Sequence, residues 1–422
     1  MIKHILKIMK NEHKSNTWIM LELTLVFVVL WFCFDYLNLM IQRKTEPKGF
    51  DIEHTYAIDF GIKDEYKELY HLLSGKADND TLTDIFVENS LRITEKLKQM
   101  PEIEDVCYSG NSKPYGFGNS YYSFKVDTVY AMALTKYVSS EYFNVFKIKV
   151  DKNPEYDWDN PASKQIIIGA NDENNFGNRP IDEIKVVASG RDTLRIAGIA
   201  NKFKYLDYER YSETAYLLMK RHKLIPYSYE GEISFRVKPS ADVDFVDKFT
   251  NTIQDKLDIG PFYFINLTSY QKQKEAVLIS WGYADNFKNI FFVILFIVIN
   301  VFLGIFGTFW FRTQSRQSEI GLRCATGSSK KQIHGLIIGE ALLMLVIASI
   351  AATIISLILG YYEIIGELGV PSVSKAGHFG IVHYLANYSV TIILLSIMAL
   401  IGTYFPARQA MKIQPSEALR AE

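Results

Sequence analysis

The sequence lacks the phosphate-binding loop that an ATP-hydrolysing chain requires. That loop has two glycines separated by four residues and then Lys followed by Ser or Thr. Here Gly75 and Lys76 are followed by Ala77, and Gly327–Lys330 has the right residue types in the wrong order. We therefore expect no nucleotide hydrolysis by this chain and no cofactor bound to it.

Other catalytic signatures are also scarce. The eight histidines are scattered, and the closest pair, His378 and His383, has no Cys or carboxylate cluster alongside to complete a metal site. The Gly-x-Ser-x-Gly nucleophile motif is absent. An enzyme would need a metal or an acidic pocket that nothing in the sequence indicates, so we predict no catalytic and no metal-binding residue.

Charge is missing from three long stretches, and this excludes an ordinary soluble protein. Ile290–Phe311, Ala341–Tyr362 and Tyr384–Phe405 each run for 22 residues without Asp, Glu, Lys or Arg. A helix of that length covers roughly 33 Å, enough to cross a bilayer core. Trp18–Met40 is equally apolar apart from two acids, and we interpret it as a fourth span.

Three acids lie in or beside these stretches. Glu22, Asp35 and Glu340 each lie within a turn or two of an expected membrane boundary, where a carboxylate can reach the interface, cap a helix or pair with Lys or Arg. A structural role is favoured over a functional one for each. Because the three charge-free stretches carry no acid, the sequence argues against a proton- or ion-coupled carrier.

Basic residues are concentrated in three short segments that set the topology. Residues 1–16, 312–333 and 406–422 carry net charges of +3, +4 and +1, which leaves −9 for the rest of the chain. Basic segments remain on the cytoplasmic side, and four spans place all three there. The predicted order is a cytoplasmic amphipathic segment at 1–16, a span at 17–40, a periplasmic domain at 41–285, a span at 286–311, a cytoplasmic loop at 312–333, a span at 334–362, a short periplasmic loop at 363–383, a span at 384–405 and a cytoplasmic tail at 406–422. This topology separates the three cysteines, so no intramolecular disulfide is expected.

The domain at 41–285 alternates short strand patterns with amphipathic helices, which predicts an α+β fold of two lobes. Two βαβ-like units flank its middle. The first is predicted as strand Thr55–Ile62, helix Asp80–Met100 and strand Val106–Ser109, the second as strand Glu232–Val237, helix Asp242–Leu257 and strand Pro261–Asn266. Between them, strands are predicted at Ser120–Leu134, Gln165–Ile168, Ile184–Val187, Leu194–Ile199 and Thr214–Met219. The buried face of the first helix is predicted to carry Leu82, Ile85, Phe86, Ile93 and Leu97.

Leu267–Asn286 has a helical composition and leads directly into a span. It could continue the membrane helix as a rigid stalk, or it could pack on the domain, and the sequence favours neither.

The loop at 312–333 predicts a short amphipathic helix on the cytoplasmic membrane surface. Ser318 and Glu319 can begin it and Gly327 can end it, while Ser328 and Ser329 can cap the following span. From physical chemistry alone, an interfacial connector with positive-inside arginines is the favoured interpretation of the loop.

This loop is similar to the E-I-G-[VIL]-R-x-A-[LM]-G segment of FtsX/MacB-type ABC transporter permeases. The matching residues are Glu319, Ile320, Gly321, Leu322, Arg323, Ala325 and Gly327. The tail resembles that family's terminal P-A-R-x-A…P-[VS]-E-A-L-R motif through Pro406, Arg408, Pro415, Glu417, Leu419 and Arg420. In the predicted periplasmic domain at 41–285, Val138–Phe143 resembles the V-S-x-x-Y-F segment of the same family. Cys324 and Thr326 depart from the usual basic and Leu or Met positions.

The resemblance implies a permease subunit of the bacterial inner membrane that acts as a dimer with a separate ATP-binding subunit. The loop would be a coupling helix docked on that subunit, which would bind the ATP and magnesium. Members of the family move antibiotics, peptides or lipoproteins with or without a periplasmic adaptor and an outer-membrane channel. An alternative is an FtsX-like signalling protein that controls a periplasmic partner without net transport. No nucleic acid partner is expected.

Overall fold

A computed structural model describes residues 13–74, 80–116, 120–152, 164–171, 174–190, 192–219, 225, 231–362 and 381–410. The chain divides into two compact units. One contains residues 1–42 and 284–422, and the other contains Arg43–Tyr283. Residues 1–12 of the predicted N-terminal segment, residues 363–380 of the predicted short loop, and residues 411–422 of the tail lie outside the described part.

The first unit contains helices long and apolar enough to span a membrane, and within the described residues there are four. They are α1 (His13–Thr45), α7 (Tyr283–Ser315), α9 (Lys330–Tyr361) and α10 (Ile381–Ala410). This confirms the predicted four-span arrangement. Each helix extends beyond the apolar stretch that predicted it, and α10 continues through Pro406 rather than ending at residue 405.

The core of this unit contains both large and small side chains. Phe27, Leu30 and Trp31 of α1 are fully buried, as are Met344 and Ala352 of α9. The outward faces of the helices are apolar and exposed, as expected for surfaces that contact lipid.

The second unit is the α+β domain. Its strands in chain order are β1 (Thr55–Ile62), β2 (Ile103–Gly110), β3 (Tyr121–Val126), β4 (Val129–Val138), β5 (Val150–Lys152), β6 (Gln165–Gly169), β7 (Asn175–Phe176), β8 (Arg179–Pro180), β9 (Val186–Ser189), β10 (Asp192–Ala200), β11 (Thr214–Leu218), β12 (Glu232–Val237) and β13 (Phe262–Ser269). Its helices are α2 (Asp64–Ser74), α3 (Asp80–Lys98), α4 (Tyr142–Val145), α5 (Phe245–Ile253) and α6 (Tyr270–Ser280).

Among the described residues, eleven of these strands form one sheet in the order β11-β6-β10-β9-β3-β4-β2-β12-β1-β13, with β5 paired to β10. The two predicted βαβ units are therefore interleaved. Strand β12 lies between β1 and β2 and is antiparallel to both, while β1 lies between β12 and β13. Helices α3 and α5 pack on these four strands through Phe86, Ile93, Leu97, Phe245 and Phe249.

The first predicted helix buries a slightly different face from the one expected. Phe86, Ile93 and Leu97 are buried as predicted, but Ile85 is exposed and Val87 is buried in its place. The side chain of Leu82 lies outside the described residues. The second predicted helix begins at Phe245 instead of Asp242, after a single 3-10 turn at Pro239–Ala241.

The predicted strand at Ser120–Leu134 is a hairpin of two strands. The chain turns at Asp127, whose φ of +52° lies in the left-handed region, and β3 and β4 then pair with Val126 opposite Val129. Asp tolerates this conformation better than most residues. The prediction missed the turn because it contains neither Gly nor Pro.

The segment at Leu267–Asn286 is not one continuous helix. Its first three residues complete β13, α6 ends at Ser280, and Gly282 with a φ of +71° precedes α7. Helix α6 packs on its own domain through buried Tyr270 and Val277. The structure therefore agrees with packing on the domain and not with an unbroken stalk.

A lysine is buried in the domain core. The Nζ of Lys136 on β4 donates to the Ser112 carbonyl at 2.9 Å and lies 4.6 Å from the centre of the Phe203 ring. Burial lowers the pKa of Lys136 from its usual 10.5 to about 7, and the charge of Glu232 opposes this shift. Between pH values of about 7 and 10.5, Lys136 is therefore protonated in the unfolded chain and neutral in the folded chain.

Raising the pH from about 7 to about 9 should stabilise the α+β domain. Unfolding requires Lys136 to take up a proton, and a higher pH makes that uptake less favourable. Replacing Lys136 with Met should remove up to about 1.4 kcal/mol per pH unit from that dependence. Chemical unfolding of the full-length protein at several pH values measures it. Lys125→Met, at an exposed position on β3, is the matched control, and equal slopes in the two variants would contradict the assignment.

Candidate coupling site

The predicted coupling helix exists as α8 (Gln317–Ala325), between α7 and α9. Its end is a Schellman motif: the Ser328 amide donates to the Arg323 carbonyl at 2.9 Å and the Gly327 amide to the Cys324 carbonyl at 3.2 Å. Gly327 has a φ of +97°, which the absence of a side chain makes accessible. The helix begins two residues earlier than predicted, because Arg316 and not Ser318 occupies the N-cap position.

Ser329 begins α9 with a reciprocal cap. Its hydroxyl accepts from the Gln332 amide, and the Gln332 side chain accepts from the Ser329 amide. Both bonds satisfy amides that the first helical turn leaves without partners. The turn between α8 and α9 is therefore defined by backbone and side-chain bonds on both sides, which fixes the direction in which α8 leaves the membrane helix.

An ion-pair chain joins α8 to two membrane helices. Glu340 of α9 accepts from Arg312 of α7 at 2.8 Å and from Arg316 at 3.0 Å. Arg316 also lies 3.6 Å from Glu319, which in turn accepts from Arg323 at 2.6 Å. Five alternating charges thus connect the end of α7, the body of α9 and the length of α8.

The inner part of this chain is buried. The side chains of Glu340 and Arg312 are 3% and 8% exposed, whereas Glu319 is 42% exposed. A buried carboxylate is costly unless it is paired, and removing one partner of such a pair typically costs about 3–5 kcal/mol. The outer Glu319–Arg323 pair is partly exposed, and such pairs contribute at most about 1 kcal/mol. The bond to Glu340 therefore dominates the energetics.

The same charged residues line a cleft that is open to solvent. Its remaining walls are Phe309, Thr313, Ile320, Ile333, Leu336 and Ile337. Three arginines and two glutamates give the cleft one excess positive charge.

The predicted coupling residues divide into three groups. Ile320 and Gly321 are buried against the membrane helices. Glu319 and Arg323 are engaged in the ion-pair chain. Leu322, Ala325 and Gly327 are exposed, with Leu322 55% exposed.

Two residues of the predicted C-terminal motif lie at the end of α10, where Pro406 is buried and Arg408 is exposed. Pro415, Glu417, Leu419 and Arg420 lie outside the described residues. The structure therefore brings the two described motif residues to the end of a span without placing the rest.

Asp35 lies in a buried polar cluster that the sequence did not reveal. Its Oδ1 is 2.5 Å from His383 Nε2 and accepts from Asn387 at 2.9 Å, and Asn38 donates to the Asn387 side chain at 3.3 Å. The i, i+3 spacing of Asp35 and Asn38 and the i, i+4 spacing of His383 and Asn387 were the available signals. The sequence analysis considered His383 only together with His378, the histidine nearest to it along the chain. His378 lies outside the described residues.

Glu22 approaches α7 at Gly304. Its Oε1 lies 2.5 Å from the position that a Cβ on Gly304 would occupy. The glycine thus leaves room for the carboxylate between two helices.

Within the described ranges, no group of three or more His, Cys, Asp or Glu side chains converges as metal ligands do. The sites above therefore consist of hydrogen bonds and ion pairs between helices.

Residues 290–415 match the family model of the FtsX-like permease C-terminal domain. The chain is also 22% identical over 251 residues to the macrolide export ATP-binding/permease protein MacB of Pectobacterium atrosepticum. That match covers 58% of this chain and 36% of the relative, so it spans little more than a third of the relative's length. The chain therefore carries an FtsX-like permease domain and is a homologue of MacB, as its motifs predicted.

Solved structures that share a likeness with parts of the chain include two extracytoplasmic domains. One is the periplasmic region of MacB from Actinobacillus actinomycetemcomitans, with a TM-score of 0.31, 13% identity, and coverage of 53% of this chain and 94% of that one. The other is the extracellular domain of the noncanonic ABC-type transporter YknZ from Gram-positive bacteria, with a TM-score of 0.31, 13% identity, and coverage of 50% and 100%.

Replacing Glu340 with Gln should loosen α8, because Arg312 and Arg316 would then lack their shared carboxylate. Cys324 on α8 is partly exposed while Cys33 and Cys107 are buried, so its rate of maleimide labelling reports on the helix. We expect labelling to accelerate severalfold and the free energy of unfolding to fall by about 3–5 kcal/mol.

Glu65→Gln, at an exposed position on α2, is the control and should leave both quantities unchanged. Unaltered Cys324 labelling in Glu340→Gln would show that the ion-pair chain does not hold α8 in place.

Proposed function

We propose that this chain is the transmembrane subunit of a MacB/FtsX-type ABC transporter and that α8 couples it to a separate ATPase subunit. The observation that supports this proposal is the ion-pair chain from Glu319 through Arg316 to Glu340 and Arg312. It gives an exposed surface helix a direct connection to two membrane helices. An interfacial connector without a coupling role would not require a buried, charge-paired link of this kind.

The proposed mechanism is mechanical. ATP and magnesium bind to the partner subunit, whose closure displaces α8 through contact with Leu322. Because Arg316 and Arg312 share the Glu340 carboxylate, the displacement passes to the ends of α7 and α9. The helices tilt, and the outside domain on the far side changes its conformation. This transmission requires no polar channel, in agreement with the charge-free stretches of α7, α9 and α10.

The resemblance also supports a homodimer or a dimer with a related permease, and a place in the bacterial inner membrane with both termini in the cytoplasm. The proposed cargo class is antibiotic, peptide or lipoprotein, moved from the periplasm with or without an adaptor and an outer-membrane channel. The Pectobacterium relative is named as a macrolide export protein. This similarity favours efflux over FtsX-like signalling.

Leu322→Glu tests the docking step. It places a charge on the exposed apolar contact without touching the ion-pair chain, so the partner should dissociate while the chain remains folded. The tagged protein is purified from its native membranes, and mass spectrometry together with the ATP hydrolysis rate measures the co-purifying ATPase subunit. We expect at least a tenfold loss of both. The matched control is Ser318→Glu, which adds the same charge at another exposed position of α8. Val346→Glu would not serve, because Val346 lies in a span.

A charge exchange separates the internal role of Glu319 and Arg323 from direct recognition by the partner. Arg323→Glu alone places two acids one turn apart, and it should weaken coupling. The double variant Glu319→Arg/Arg323→Glu restores the pair within α8 but places a second cation beside Arg316, so it should recover only part of the ATPase stimulation. Loss in the double variant equal to that in the single one would show that the pair within α8 does not by itself support coupling.

A further inference from the structure

A basic and aromatic surface lies where the first membrane helix enters the outside domain. The last turn of α1 carries Arg43 and Lys44, three and four residues after the apolar stretch ends at Met40. These residues are fixed to a second segment of the same unit, because the Arg43 guanidinium donates to the Tyr208 carbonyl at 3.1 Å.

The second segment is anchored by a buried lysine. The Nζ of Lys204 donates to the Arg43 carbonyl at 2.7 Å and lies 2.5 Å from the Glu46 carboxylate. The Lys204 side chain is 1% exposed. A cation at the last carbonyls of a helix is favoured by the helix dipole. The segment and the end of α1 therefore form one rigid surface.

Aromatic rings are interleaved with these cations. Tyr208 stacks on Tyr283, the first residue of α7, with ring centroids 4.7 Å apart. Tyr211 contacts Lys202, whose Nζ lies 5.1 Å from the ring centroid, and its hydroxyl donates to the Pro47 carbonyl at 2.6 Å. Since Tyr283 begins α7, the segment around Tyr208 touches the emerging ends of two spans. Tyrosines in such positions are typical of the headgroup region.

The surface carries excess positive charge. Residues 43–48 and 202–213 contain six basic and four acidic residues. Lys44 and Arg210 are exposed. The Arg43 guanidinium lies near the like charge of Arg210 and near the opposite charges of Glu46 and Glu209. Arginine pairs with phosphate in a bidentate manner.

We define the basic collar as Arg43, Lys44, Lys202 and Arg210. We propose that the basic collar binds the phosphate of an anionic phospholipid headgroup in the leaflet that faces the outside domain. A phosphodiester at this depth meets guanidinium and ammonium donors on one side and tyrosine rings on the other. The lipid would thereby connect the first helix to the segment that also contacts the start of α7, so membrane composition would affect the angle at which the helices leave the bilayer.

The test counts lipids retained by the full-length protein. The protein is reconstituted with an equimolar mixture of phosphatidylglycerol and phosphatidylethanolamine, released in detergent, and examined by native mass spectrometry. We expect preferential retention of phosphatidylglycerol by the wild type. The double variant Lys44→Gln/Arg210→Gln should reduce that preference by roughly fivefold for each charge removed.

Two further variants make the result decisive. The charge-preserving pair Lys44→Arg/Arg210→Lys should keep the preference. Lys125→Gln/Lys185→Gln, with the same loss of charge at an exposed position on β3 and at the exposed residue before β9, should also keep it. Equal retention of the two lipids by the wild type would overturn the proposal. So would an equal loss in the Lys125/Lys185 variant, since that would reflect net charge and not the basic collar.

Discussion

The Glu340 carboxylate and its two arginines are the constraint on which the α8 end of the membrane unit depends. A carboxylate this deeply buried is tolerated only when its charge is compensated within hydrogen-bond distance. Arg312, in the last turn of α7, and Arg316, at the N-cap of α8, supply that compensation. The positions of α7 and α9 relative to each other, and the start of α8, therefore follow from one shared acid.

Asp35 acts in the same manner between another pair of helices. It lies on α1 and bonds to His383 and Asn387 of α10. Apolar surfaces slide against each other with little preference for register, because lipid tails and side chains are similarly apolar. A polar contact that has no alternative partner in lipid restricts that freedom. Glu340 and Asp35 thus each specify which two helices meet and at what height.

The sequence predicted those features that depend on local periodicity. The four spans and the strands at Thr55–Ile62 and Glu232–Val237 have the predicted type and nearly the predicted bounds. Strand order could not be predicted, because placing β12 between β1 and β2 brings together residues more than a hundred positions apart. The partners of the acids were missed for the same reason: Asp35 and His383 are 348 residues apart, and neither lies in a motif that names the other. Local errors had local causes, such as the turn at Asp127, which lacks the usual turn residues.

A sequence motif does not distinguish residues that recognise a partner from residues that position them. The resemblance assigned seven residues to coupling as one set, six on α8 and Gly327 just after it, yet they differ in what they can contact. Glu319 pairs with Arg316 and Arg323, so Glu319 and Arg323 are poorly placed to supply binding energy to another protein. Leu322 is apolar, exposed and one turn away from the Schellman motif that fixes its direction. In the proposed coupling, recognition through an apolar contact would be separate from force transfer through buried charge, which would let one membrane unit be matched to different partner surfaces without altering the link to Glu340.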